Sequence, residues 1–292
     1  MDADSQTLSQ SDIATGLSIL LLARRRAIDT ESKRFTELGD AEALHDLRVA
    51  MRRLHSLFIA FAPVIDPAIT LPEELRHVQK TSNHARDLEV MLAILRAAHL
   101  QLPWLEQLWQ RQLEGEYHQL QRTLPAAWQQ LAPTLETQAQ LLRDPLPPQT
   151  LGELAASQLQ QRTRQLKKGR KALCRHWSDK PAHQLRIAGK QLRYLLEPFS
   201  EESRACAKTV SRLKEFQDLL GDYHDIVVLQ KRLKKLQCDA PPEQLKPLQR
   251  ARKDLKRRRR TLHRQFLQQN CGGKGDRLHQ ALLRAGQALT KQ

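Results

Sequence analysis

The sequence predicts an all-α fold built from two copies of a four- or five-helix unit. Three observations lead there. Apolar residues recur at three- and four-residue spacing between clusters of proline, with no convincing alternating stretch. A block of sequence repeats at an offset of 138 residues. Charge divides unevenly between the halves, so the two copies share a pattern but differ in electrostatic character.

The chain has 292 residues and is 40% hydrophobic, enough for a substantial core. Helices are expected near 12–38, 40–61, 73–100, 104–123, 126–142, 150–178, 182–199, 203–236, 243–270 and 276–290. The breaks between them are set by proline clusters, such as Pro63, Pro67 and Pro72, Pro125 and Pro133, or Pro241 and Pro242. Gly39 and Gly272-Gly273 fit helix stops. The segment Asp144-Pro-Leu-Pro-Pro148 is the best boundary between the halves. Ten helices with short connections imply helical bundles.

Lys and Arg number 48 against 32 Asp and Glu, giving +16 and a pI near 10.1. Residues 1–146 hold 15 and 19, a net −4; residues 147–292 hold 33 and 13, a net +20. Such a balance favours a polyanionic partner, and only 4% aromatic residues argue against stacking single-stranded bases. No G-x-x-x-x-G-K-[ST] or G-x-G-x-x-G occurs. Cys174, Cys206, Cys238 and Cys271 lack any C-x-x-C pairing and read as reduced thiols of a cytosolic protein. The acidic start and the short apolar run Ile19–Ala23 suit neither a secretory leader nor a membrane span, so a cytoplasmic location is expected.

Residues 45–57, HDLRVAMRRLHSL, and 183–195, HQLRIAGKQLRYL, agree at six of thirteen positions. The register then continues without a gap through Phe61/Phe199, Asp87/Asp225 and Val90/Val228, and backwards through Arg26/Arg164 and Lys33/Lys171. On a helical wheel His45, Arg48, Arg52 and His55 fall within an arc of about 80°, opposite Leu47, Met51, Leu54 and Phe58. His183, Arg186, Lys190 and Arg193 occupy the same arc in the second copy. Like charges on one face repel, so something negative should lie against them.

Two further rows are basic. Arg164, Lys168, Lys171 and Arg175 share one face of the helix before His183. Lys246, Arg250, Lys253, Arg257, Arg260 and Arg264 line up near the C-terminus, while their first-copy counterparts are mostly neutral. A run such as Lys256-Arg257-Arg258-Arg259-Arg260 is on its own equally a solvated surface.

The two blocks opening at His45 and His183, with Asn83-His-Ala-Arg-Asp-Leu-Glu-Val and Leu213-Lys-Glu-Phe-Gln-Asp-Leu-Leu-Gly-Asp-Tyr-His-Asp-Ile-Val-Val, resemble the CHAD family, the conserved histidine α-helical domain. The likeness spans roughly residues 10 to 290, and with no E-x-E-x-K motif it is to the stand-alone form. It implies one domain of two pseudo-symmetric helical bundles, residues 10–144 and 149–290, with a basic groove or cavity between them. The implied ligand is inorganic polyphosphate, often in granules. Carried over by position, the family's marker histidines are His45 and His183, and their basic partners are Arg48, Arg52, Arg186 and Lys190. The basic rows add Arg26, Lys33, His55, Arg164, Lys168, Lys171, Arg175 and Arg193 as expected contacts of polyphosphate, with Arg257, Arg260 and Arg264 extending them. Arginine forks suit its oxygens, and a nearby anion would raise the histidine pKa values.

Other readings fit less well. A metal would need carboxylates or more histidines on the His45 and His183 faces, which carry arginines instead. Asp87 and Asp225 read either as orienting the neighbouring basic groups or, the favoured reading, as buried ion pairs that hold the bundle. An enzyme, in its best form a polyphosphate hydrolase, lacks a nucleophile with its base or a carboxylate set for Mg²⁺. Nonspecific nucleic acid is the second partner class, because +20 on one half would bind any phosphate backbone with steep salt dependence. No cofactor and no membrane partner are expected.

Overall fold

A computed structural model describes residues 7–38, 41–65, 73–136, 142 and 145–291. Among them the chain forms α1 (Ile13–Leu38), α2 (Ala41–Ala60), α3 (Glu73–Ala97), α4 (Pro103–Glu136), α5 (Leu151–Arg175), α6 (Asp179–Leu196), a 3-10 turn (Glu197–Phe199), α7 (Arg204–Leu236), α8 (Pro242–Asn270) and α9 (Lys274–Thr290). The described residues include no strand, only the isolated bridges Asp12–Thr150 and Ile65–Leu142. The fold is all-α, as its apolar spacing predicts. No described helix is long and apolar enough to cross a membrane.

The helix starts keep the spacing of the sequence blocks. Helices α1 and α5 begin 138 residues apart, as do α2 and α6, and α4 and α8 begin 139 apart. Local signals explain several ends. Thr150 caps α5 by accepting a hydrogen bond from the Glu153 amide at 3.2 Å, while the Glu153 carboxylate accepts from the Thr150 amide at 2.8 Å. Helix α8 stops at Asn270, two residues before Gly272, whose φ of +66° suits glycine. Gly39 and Asp144 lie outside the described residues.

Two apolar cores hold the molecule, and the halves of the sequence interlock across them. The first gathers Ile28, Phe35, Leu47, Met51, Leu88 and Trp109 from α1–α4, and also Leu229 and Leu233 of α7 and Leu255 of α8. The second gathers α5, α6, α9 and the early part of α7, together with Leu17 of α1 and Leu57 and Phe61 at the end of α2. Phe58 and Leu262 pack against both. Each fully buried side chain of this size contributes about 1.5–3 kcal/mol. Neither half therefore presents a closed core of its own.

Two expectations are corrected. The helices expected at 104–123 and 126–142 are one helix, α4, running through Pro125. An interior proline costs about 3 kcal/mol. Leu120, Leu124 and Trp128, all buried on the same face, together outweigh that cost. The Trp128 indole also donates to Asp29 of α1. The expected end of the second of those helices falls partly outside the described residues.

The second correction concerns the thiols. Cys174, in the last turn of α5, is disulfide-bonded to Cys271 just after α8, with Cα atoms 5.9 Å apart. Nothing in a separation of 97 residues announces the pair. The chain is brought together there by Arg170, buried in α5, which donates to the Asn270 carbonyl at 2.5 Å and pairs with Asp276 at 3.3 Å. Cys206 and Cys238 are free, the first buried and the second exposed. Closing so long a loop restricts the unfolded chain, so Cys271→Ser is expected to lower stability by about 2–4 kcal/mol. Urea unfolding under non-reducing conditions measures this, and an unchanged midpoint would count against the bond.

Candidate functional site

Helices α2 and α6 pack against each other where the two cores meet. Their apolar faces are committed elsewhere: Leu44, Leu47, Met51 and Leu54 to the first core, Leu185, Leu192 and Leu195 to the second. The remaining faces bring their cations together. Arg52 of α2 lies within electrostatic reach of Arg186 and Arg193 of α6, and Lys190 within reach of Arg186, Arg52 and Arg193. Among the described residues, Arg52, Arg186 and Lys190 make no ion pair, and the buried Nε of Arg52 finds no hydrogen-bond acceptor.

The next helix in each half supports this face. Arg48 is only 7% exposed and donates from Nη2 to Asn83 Oδ1 of α3 at 3.0 Å. Its counterpart Arg186 crosses α7 at Gly221, the residue equivalent to Asn83, where a Cβ would lie 3.6 Å from Arg186 Nε. The second arginine is thus left without the amide that fixes the first. Gly189 makes room one helix turn away, because a Cβ there would stand 3.3 Å from the Phe216 ring, a tight contact that the ring would have to yield to. His45 lies by Arg86 of α3. In the second half the equivalent pair is His183 stacked on His224, with ring centroids 4.3 Å apart at 28°.

Burial among like charges disfavours the protonated forms. Burial, then Arg186, Arg52 and Arg193, bring Lys190 down to about 7, against a partial pull from Asp225. Burial, then Arg52, lower Arg48 to about 10. His224 falls to about 4 through burial and then through His183, Arg186, Lys190 and Lys231. His45 and His183 are also lowered, each mainly by burial. Without an anion these histidines are therefore neutral, and hydrogen bonding is what they offer.

A cleft of about 740 Å³ opens beside the cluster between α3, α7 and α8, with Arg86, Arg257 and Arg258 on its walls and Val90, Ile94, Ile226 and Leu262 on its floor. Asp225 lines it too, its carboxyl raised by burial although Arg186 opposes this. At the other edge Glu197 accepts from Arg53 Nε at 2.8 Å and pairs with Arg193 at 3.1 Å, tying α2 to the end of α6. The expected aspartate ion pairs are absent among the described residues. Asp87 is exposed and Asp225 lines the cleft, and neither stands within 4.0 Å of a cation.

Not every residue singled out in the sequence is part of this cluster. The structure gathers Arg48, Arg52, Arg186, Lys190 and Arg193, with His45 and His183 on the flanks. Arg26 and Lys33 are exposed on α1, and Arg164, Lys168, Lys171 and Arg175 are exposed on α5, where Lys171 approaches His279 of α9. His55 is exposed at the outer end of the α2 row. Arg257 lines the cleft, while Arg260 and Arg264 are exposed on α8 away from its lining. Sequence reasoning passed over Arg86, Asn83, His224 and Lys231 as site residues. The repeat register held a signal for three of them, since Arg86 aligns with His224 and Asn83 with Gly221.

The CHAD domain family matches residues 19–234. The fold is similar to the crystal structure of the CHAD domain from the plant Ricinus communis, with a TM-score of 0.71 at 22% identity over 97% of this chain and 94% of that one. It is also similar to PptA from Streptomyces chartreusis, with a TM-score of 0.61 at 18% identity over 95% of this chain and 100% of that one. No curated protein matches the sequence. At these identities the solved structures speak for the fold, and the family match rests on the sequence itself. With that match covering well over half of its length, the chain belongs to the CHAD domain family.

Proposed function

We propose that the protein binds inorganic polyphosphate without catalysis, through the facing cations of α2 and α6. One observation carries this reading: Arg52, Arg186 and Lys190 converge in a half-buried site with no carboxylate partner among the described residues. A linear chain of phosphates supplies closely spaced negative charge and asks for no base recognition. Arginine forks chelate its oxygens, the Lys190 ammonium adds a point charge, and His45 and His183 donate hydrogen bonds. Family membership supports the same ligand. Cytoplasmic location and association with polyphosphate granules belong to this proposal.

The exposed row Lys246, Arg250, Lys253, Arg257, Arg260 and Arg264 on α8 favours a second reading, nonspecific nucleic-acid binding. Titration of the protein with size-defined polyphosphate, duplex DNA and single-stranded RNA at two salt concentrations separates them. Polyphosphate binding that persists at the higher salt, with both nucleic acids much weaker, supports the proposal. Equal binding of all three, lost together as salt rises, overturns it.

Charge-assisted hydrogen bonds contribute about 1.5–3 kcal/mol each. The double variant Arg52→Gln/Arg186→Gln should therefore lose at least about tenfold in polyphosphate affinity while remaining folded by circular dichroism. Full affinity in that variant would remove α2 and α6 from the site.

The pH dependence follows from Lys190. Its pKa in the free chain is about 7, and a bound polyanion raises it, so binding takes up a proton between the two values. Affinity should strengthen as pH falls from about 8.5 to 6. Lys190→Arg keeps its charge throughout and should flatten that profile in calorimetric titrations. An unchanged slope in Lys190→Arg would assign the proton to another group.

A further inference from the structure

Helices α6 and α7 run antiparallel, so the N-terminal turns of α6 lie beside the middle of α7. The Tyr223 hydroxyl donates to Asp179 at 2.6 Å, and His183, one turn further along α6, stacks on His224. From His224 the same face of α7 continues to Lys231 two turns on, and Lys234 follows. Lys231 sits close enough to His183 and His224 for its charge to act on both. A row of basic side chains therefore leads out of the central cluster, from Lys190 and Arg186 past the two stacked histidines.

That row ends in a second cleft. Between α7 and α8 lies a space of about 480 Å³ lined by Lys231, Lys234, Arg252, Lys253, Lys256 and Arg259. Asp179, the one carboxylate on its wall, is occupied by the Tyr223 hydroxyl and by Arg259 at 3.6 Å. Arg252 is anchored by donating to Gln237. Lys231, Lys234, Lys253 and Lys256 are exposed and make no ion pair among the described residues. Four ammonium groups thus face one concavity with nothing of their own to neutralise them.

The first half has no equivalent. At the 138-residue offset these lysines correspond to Ala93, Arg96, Gly115 and His118, and Arg96 is paired with Glu106 at 3.6 Å. The row therefore leaves the centre on one side only.

We propose that the α7/α8 cleft is a second phosphate-chain subsite, continuous with the central cluster past His183 and His224. Short chains occupy the centre alone, and long chains engage both. The path from Lys190 to His183 and from His224 to Lys231 is roughly 20 Å at 1.5 Å per helical residue, well beyond the reach of tripolyphosphate. This subsite rests on the polyphosphate reading and adds to it a direction and a dependence on chain length.

Calorimetric titration of the full chain with inorganic tripolyphosphate and with a long size-fractionated polyphosphate tests it. The cleft variant is Lys231→Gln/Lys234→Gln/Lys253→Gln/Lys256→Gln. A charge-matched control, Arg111→Gln/Lys214→Gln/Arg284→Gln/Lys291→Gln, removes exposed cations elsewhere. The cleft variant should keep tripolyphosphate affinity and lose about tenfold to a hundredfold for the long chain, the scale of a few released counterion contacts. The control should lose far less. Equal losses in cleft variant and control overturn the subsite, as does a matching loss for tripolyphosphate. Binding of neither ligand by the unmodified protein overturns the polyphosphate reading itself, and the subsite falls with it.

Discussion

The organising constraint is that two cationic helix faces are held against each other away from bulk water. At an effective dielectric near 20, like charges about 8 Å apart repel by about 2 kcal/mol. Among the described residues Arg52, Arg186 and Lys190 meet without an ion-pair partner, only Asp225 pulling partly the other way, and burial together with this repulsion depresses the pKa of Lys190. The fold tolerates the arrangement because its stability comes from elsewhere. Two apolar cores, shared across the halves by α1, α2, α7 and α8, fix the crossing of α2 and α6 whatever their polar faces carry. Glu197 forms its ion pairs at the rim, on Arg53 and Arg193.

The related halves use the same positions differently. Arg48 is anchored by Asn83, whereas Arg186 meets Gly221 and has no such anchor. His45 sits by an arginine, and His183 sits on another imidazole. Lysines that continue the second half outward have Ala93 and Gly115 as counterparts in the first. The first half thus contributes Arg52 and Arg48 to the centre, and the second carries most of the exposed basic surface. The charges of −4 and +20 in the two halves follow from this division.

Much of this was legible in the sequence, for physical reasons that also mark its limit. Helical periodicity identifies which residues share a face, so the rows on α2, α5, α6 and α8 could all be drawn beforehand. It does not say which face meets another helix. Arg48 and Arg186 lie where α2 and α6 meet, while Arg164 and Lys168, equally regular in spacing, are exposed on α5. Arg86 and His224 were within reach of the repeat register, because each occupies the same place beside its histidine. Pro125 misled because a local penalty was visible and the burial of Leu124 and Trp128 was not. The Cys174–Cys271 bond depends on how α5 and α8 end in space, which composition does not encode.

The central claim, that these cations have no ion-pair partner among the described residues, is tested most directly by the stability of the ligand-free chain carrying Lys190→Met. Below pH 7 the folded wild type holds a charged, desolvated lysine. Above it the folded state sheds that proton while the unfolded chain keeps it up to its ordinary value, so the penalty declines as pH rises. Urea unfolding should find Lys190→Met more stable than wild type at pH 6, by a margin that narrows at pH 9. A variant less stable than wild type at pH 6 would mean that Lys190 has a partner inside the protein, and the facing cations would then be structural.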